Sequence, residues 1–292
     1  MRVAYYQYHS LIAGSEQMNV ATIPQFIYGT AWKEYRTQPL TVTALKQGFT
    51  AIDTANQRKH YYEEAVGHAI RESGVDRDKL FIQTKYTGIG GQDQRLPYDA
   101  RQPIATQVAQ SFASSLEHIG TTYIDSYVLH GPTQRVGLGD ADFQAWAAME
   151  AIFEQKKTHA LGVSNVMFDQ LKALHKAARI KPVFVQNRCY ARTKWDLEIR
   201  DFCRENGIHY QAFSLLTANQ PELTSGKLGE MAARNKKTIP QLIFRFAIQV
   251  GIIPLTGTSS AKHMAEDLAA ANFELNADDL GTIENISQYV PK

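Results

Sequence analysis

Three apolar segments of this chain stop on ionisable side chains, and no other feature narrows its fold as much. Phe49–Asp53 ends on an aspartate, Leu80–Lys85 on a lysine and Tyr123–His130 on a histidine. Segments this short, built from apolar and aromatic residues, read as buried strands. Packing alone does not favour such endings, because a charge taken out of water is costly unless it is paired. Taken singly, each has an ordinary explanation: Asp53 caps a turn, Lys85 reaches solvent, His130 is a satisfied interior imidazole. Three in succession point to one end of one sheet where they meet.

The rest of the pattern supplies that sheet. Apolar runs alternate with amphipathic stretches, the signature of repeated strand–helix units around a parallel sheet. Strands are predicted near 26–29, 51–53, 80–84, 124–129, 160–163, 183–186, 208–213 and 252–254. Helices are predicted near 40–47, 62–72, 104–117, 142–155, 168–178, 195–206, 229–233 with 241–249, and 262–270, and a last one at 277–287. This order predicts an α/β fold, a (β/α)8 TIM barrel. It is expected as one domain over residues 23–292, with an N-terminal arm at 1–22 and a closing C-terminal helix. Such a barrel carries its chemistry where strands end and the following loops begin. Asp53, Lys85 and His130 all fall there. A doubly wound nucleotide-binding sheet is the rival, but neither Gly88-Ile-Gly-Gly91 nor Gly137-Leu-Gly139 completes a G-x-G-x-x-G turn after a strand. Tyr86–Pro103 and Thr217–Lys227 are long connections expected to overhang the catalytic face.

Composition removes several classes. A net charge of +2 on 292 residues is too small for a nucleic-acid or membrane surface. No stretch approaches the roughly 20 apolar residues of a membrane helix, and the N-terminus lacks the apolar run of a signal peptide. Cys189 and Cys203, the only cysteines, fit a reducing compartment, and a cytoplasmic protein is expected. His9, His60, His68 and His118 show no metal-ligand spacing, so no metal is expected and a metal-dependent barrel hydrolase has no ligand set.

The chemistry of the three strand ends is coherent. A tyrosine is a poor acid at its ordinary pKa of about 10, and a neighbouring ammonium stabilises its phenolate. A buried lysine needs a carboxylate, and Asp53 is available. A neutral histidine donates to a carbonyl oxygen. Together they suit reduction of a carbonyl group with hydride from a nicotinamide.

The ordered segments Gly29-Thr-Ala-Trp-Lys33, Gly48–Ala55, Phe81–Lys85, Tyr123–Pro132, Gly162-Val-Ser-Asn165, Pro182–Asn187 and Ile252–Gly257 resemble the aldo-keto reductase family over residues 23–290. The resemblance implies an NAD(P)H-dependent oxidoreductase that reduces an aldehyde or ketone to an alcohol, with a catalytic tetrad of Asp53, Lys85, His130 and a tyrosine. The family places that tyrosine five residues after the aspartate, where this chain has Arg58. Tyr61 is chosen, with Tyr62 as its rival. Ser164, Asn165 and Gln186 match the residues that hold the nicotinamide carboxamide, and Phe213 replaces the family's stacking tyrosine. Thr30 and Ser214 complete that half of the cofactor site. Thr256, Thr258, Ser259, Lys262, His263, Glu266 and Asp267 are implied at the adenosine end, where a Ser/Thr-rich loop runs into a helix N-terminus. Leu255 stands where the family often has lysine, and Lys262 is the candidate replacement. NADPH is the expected cofactor, with NADH still open. Trp32, Tyr62 and Tyr86 are expected to wall the substrate pocket and to favour an apolar or aromatic carbonyl compound. A monomer or weak dimer is implied. The family also contains cofactor-binding barrels that serve as auxiliary or sensing subunits, the alternative function.

Overall fold

A computed structural model describes residues 23–290; the predicted arm at 1–22 lies outside the described residues. Eight parallel strands close into a barrel in sequence order. They are β1 Ile27–Gly29, β2 Ala51–Asp53, β3 Phe81–Tyr86, β4 Ile124–Leu129, β5 Thr158–Ser164, β6 Phe184–Arg188, β7 His209–Phe213 and β8 Ile252–Thr256. Outside them run α1 Thr37–Gln47, α2 Glu63–Ser73, α3 Ile104–Ile119, α4 Asp140–Glu154, α5 Phe168–Ala177 and α6 Leu197–Glu205. A short α7, Gln220–Leu223, precedes α8 Gly226–Asn235, α9 Ile239–Gln249, α10 Ala261–Leu268 and the closing α11 Ala277–Glu284. The fold is the predicted (β/α)8 barrel.

Strand alternation explains how one sheet builds two cores. Inward side chains at the lower end, including Ile27, Phe81, Phe184 and Leu255, plug the barrel. Outward ones, such as Ile52, Val163 and Tyr210, pack under the helices in a larger cluster. Helix α2 sits tight against α3 because residue 67 is glycine: a Cβ there would fall 2.1 Å from the His118 carbonyl oxygen. This close approach fixes the start of α2, and hence the loop between β2 and α2, against the neighbouring units.

Both long connections carry local structure that composition did not reveal. A turn of 3-10 helix, Ile89–Gly91, lies in the first, and α7 lies in the second. The first is anchored by Tyr98, whose hydroxyl donates to the Thr87 carbonyl at 2.9 Å.

Candidate active site

The inward residues above the plug are polar, and they form a floor. Gln83 donates to Asp53 Oδ1 at 2.7 Å and to Gln211 Oε1 at 2.8 Å. Gln186 donates to the same aspartate oxygen at 2.9 Å. Lys85, fully buried, donates to Asp53 Oδ1 and Oδ2 at 2.6 and 2.7 Å, and to the Thr54 carbonyl at 2.8 Å. Each ammonium hydrogen therefore has an acceptor, the condition under which a buried ion pair is tolerated. Burial pulls the Lys85 pKa down, and the charge and bonds of Asp53 oppose it.

Tyr61 stands over this pair. Its ring centre lies 5.2 Å from Lys85 Nζ and 5.8 Å from the His130 ring. Burial first, and the Asp53 charge second, push the Tyr61 hydroxyl well above its ordinary pKa. Lys85 spends its hydrogens on Asp53 and Thr54, so the expected lowering of the tyrosine does not dominate. Tyr61 stays protonated at any physiological pH. His130 Nδ1 lies 2.6 Å from Thr87 Oγ1. Burial, then the Lys85 charge, lowers the imidazole to about 3, so the ring is neutral.

Behind the tyrosine, Glu63 at the first turn of α2 accepts from Thr84 on β3 and faces His118 Nδ1 at 3.0 Å. This buried carboxylate ties α2, β3 and α3 together beside the Tyr61 loop. Glu63, Thr87, Gln83 and Gln211 escaped the sequence reading, which had named Gln186 alone of the three bonded glutamines. Only inward parity on β3 and β7 could have flagged the other two.

A cleft of about 960 Å³ runs from Tyr61 and His130 across the barrel mouth to α10. That volume lies in the range of natural small-molecule sites. Asp53 and Trp32 line it near the tyrosine. Trp32 is 73% exposed, adopts φ 61° and stacks on His60 with ring centres 3.8 Å apart. Ser164, Asn165, Gln186, Phe213 and Ser214 line the middle. Asn165 and Ser214 hold φ values of 55° and 59°, strained for these residues and of the kind that gathers at functional sites. Asn165 Nδ2 donates to the His130 carbonyl at 2.8 Å. Thr256, Thr258, Ser259, His263, Glu266 and Asp267 line the far end. Asp267 accepts from Thr256 Oγ1 at 2.8 Å, and burial raises its carboxyl to about 6.

Four residues expected at the site stand elsewhere. Tyr86 is 2% exposed and packs on Tyr98, because β3 continues through it and turns it away from the axis when Lys85 faces inward. Tyr62 lines a separate cavity of about 250 Å³ outside the barrel, with the Arg58 guanidinium 3.9 Å from its ring centre. Thr30 is buried below the cleft and donates to the Asp53 carbonyl at 2.9 Å. The Lys262 side chain is 81% exposed and pairs with Glu266 at 3.7 Å. The cations that do line the cleft include Lys33 and Arg36, from the loop after β1, and Arg188. Lys33 Nζ donates to the Gly257 carbonyl in the loop after β8, and burial lowers it to about 8.

A parallel barrel with a buried acid–lysine pair beneath a tyrosine and a long cleft defines a class of nicotinamide-dependent oxidoreductases. The chain belongs to the aldo/keto reductase family, whose sequence profile matches residues 28–288. It is similar to the glyoxal reductase of Bacillus subtilis, 32% identical over 84% of this chain and 81% of that protein. An aldehyde reductase of Saccharomyces cerevisiae is 30% identical over 92% of this chain and 88% of its own. Among solved structures, an aldo-keto reductase from a Medee basin deep-sea metagenome superposes with a TM-score of 0.79 at 26% identity, covering 93% of this chain and 94% of that one. Among the described residues no cluster of His, Cys, Asp or Glu has metal-site geometry, and no helix is long and apolar enough to cross a membrane.

Proposed function

We propose that this protein is a carbonyl reductase that uses NADPH to convert an aldehyde or ketone into an alcohol. The observation that carries the reading is the stack of Tyr61 over the Lys85–Asp53 pair, with neutral His130 beside it at the mouth of the cleft. Support comes from the aldehyde- and glyoxal-reducing names of the relatives.

The residues present fit such a cofactor. Phe213 offers an aromatic face for the nicotinamide ring. Ser164, Asn165 and the free oxygen of Gln186 suit its carboxamide. Ser260, at the N-cap of α10, accepts from the His263 amide, and that helix start with its Ser/Thr loop suits phosphate. Bound NADPH supplies hydride to the carbonyl carbon.

The chain's own groups handle the proton. In the tautomer with its hydrogen on Nε2, His130 accepts from Thr87 at Nδ1 and donates to the carbonyl oxygen, which orients the substrate. As negative charge grows on that oxygen, Tyr61 gives up its proton. An alkoxide is more basic than even a raised phenolate, so the transfer runs downhill. The Lys85 ammonium steadies the phenolate left behind, and Asp53 keeps Lys85 charged within the barrel.

Lys262 does not face the cleft, so the phosphate charge falls to Lys33. Lys33→Ala is expected to weaken NADPH binding at least about tenfold, as a charge-assisted contact is lost. Lys262→Ala is expected to change it less than about twofold. Wild-type affinity should fall as the pH rises past about 8, where Lys33 loses its proton. Fluorescence titration of NADPH and NADH across pH reads all three. Equal losses in both variants would return the phosphate to α10.

A further inference from the structure

Arg188 lines the cleft on β6, and the scheme above leaves it without a task. Phe184, Gln186 and Arg188 alternate along β6, so all three point towards the barrel axis. Phe184 belongs to the apolar plug. Gln186, one pleat higher, reaches across the barrel to Asp53 Oδ1 at 2.9 Å. Arg188 follows about 7 Å further up, at the level of the mouth, with a longer side chain. The closed strand order sets β6 four places from β2, across the mouth from the loop that carries Tyr61.

Arg188 is exposed and lines the cleft. Its guanidinium carbon lies 5.7 Å from the centre of the Phe213 ring, its partner across the β6–β7 ladder. Among the described residues it has no carboxylate partner. The buried arginines do: Arg200 pairs with Glu284 and Arg245 with Glu274. Acids near the reacting end are equally scarce. Asp53 has both oxygens bonded to Lys85, and the other cleft carboxylates, Glu266 and Asp267, stand at the far end on α10. The substrate half of the cleft is therefore positive, with a permanently charged planar donor whose geometry matches a carboxylate.

Resting on the reductase reading above, we propose that Arg188 anchors a carboxylate on the substrate, so that the preferred substrates are oxo acids. The carbonyl sits at Tyr61 and His130, and the acid group reaches back across the mouth. Trp32 and His60, ring against ring, line the cleft that a spacer between the two ends would cross.

The test compares neutral and acidic aldehydes of one shape: meta- and para-carboxybenzaldehyde against the matching methylbenzaldehydes. Wild type is expected to favour the better acid at least about tenfold in kcat/KM, mainly through KM, as a charge-assisted bond provides. In Arg188→Met the ratio should fall towards one, and in Arg188→Lys it should recover in part. Binding of benzoate to the NADPH complex, followed by cofactor fluorescence, gives a readout independent of turnover and should weaken in Arg188→Met. A wild-type ratio near one overturns the proposal. So does a variant that loses NADPH affinity and slows both aldehydes alike, which would assign the guanidinium to the cofactor. If neither aldehyde is reduced while benzoate binding still depends on Arg188, the anion site stands and the reductase reading falls. If that dependence is missing too, both fall.

Discussion

Tyr61→Phe is expected to cut kcat for any carbonyl substrate by roughly a hundred- to ten-thousand-fold, the worth of a positioned proton donor. The NADPH dissociation constant should stay within about twofold. The reason is geometric. Phenylalanine refills the space over Lys85 and beside His130, so only the hydroxyl is lost. Because the Tyr61 hydroxyl is raised, wild-type kcat at saturating NADPH should not fall as the pH moves through the ordinary tyrosine range near 10. Tyr62→Phe is the control. That side chain faces the separate outer cavity and stacks on Arg58, so turnover within a few-fold of wild type is expected. Steady-state kinetics on the two variants separates the neighbours, and an inactive Tyr62→Phe with an active Tyr61→Phe would exchange their roles.

Lys85→Met should be costly in a different way. It removes the cation paired with a carboxylate that is 3% exposed and already bonded to two glutamine amides. Breaking one side of such a pair costs about 3–5 kcal/mol, and a melting temperature lower by roughly 6–15 °C is expected for a domain of this size. Activity should vanish with the charge that steadies the phenolate. Adding Asp53→Leu should return much of the lost stability, because the orphaned charge is then gone, but none of the activity. Calorimetry of the two variants measures this. A single variant as stable as wild type would mean that Asp53 finds a new partner or a proton, and that the pair does not hold the floor together.

The sequence announced the barrel because its strands are buried on both faces and read as nearly unbroken apolar runs. It announced Asp53, Lys85 and His130 because each interrupts such a run at its upper end. What it hid lies in side-chain direction and loop geometry. Tyr86 looked like part of the mouth because it follows Lys85. Once Lys85 faces inward, alternation turns the next residue out, and that step was available from the sequence. The choice between Tyr61 and Tyr62 was not. It depends on a loop held by the Trp32 amide, which donates to the His60 carbonyl at 2.7 Å across two βα units. Lys262 was named for the phosphate and Lys33 was not considered, since only the loop running into α10 was expected to bind phosphate. Only the folded chain shows that Lys33 points into the cleft and Lys262 pairs with Glu266 in solvent.

The most direct test of the central claim is transfer of label. The protein is mixed with NADPH deuterated at the transferable nicotinamide position and a panel of neutral and carboxylate-bearing aldehydes, and the products are read by mass spectrometry. Alcohols carrying one deuterium on the former carbonyl carbon, formed by wild type and lost with Tyr61→Phe, are expected. Tight NADPH binding with no deuterium reaching any carbonyl would contradict the reductase reading and point to a cofactor-sensing role for the barrel.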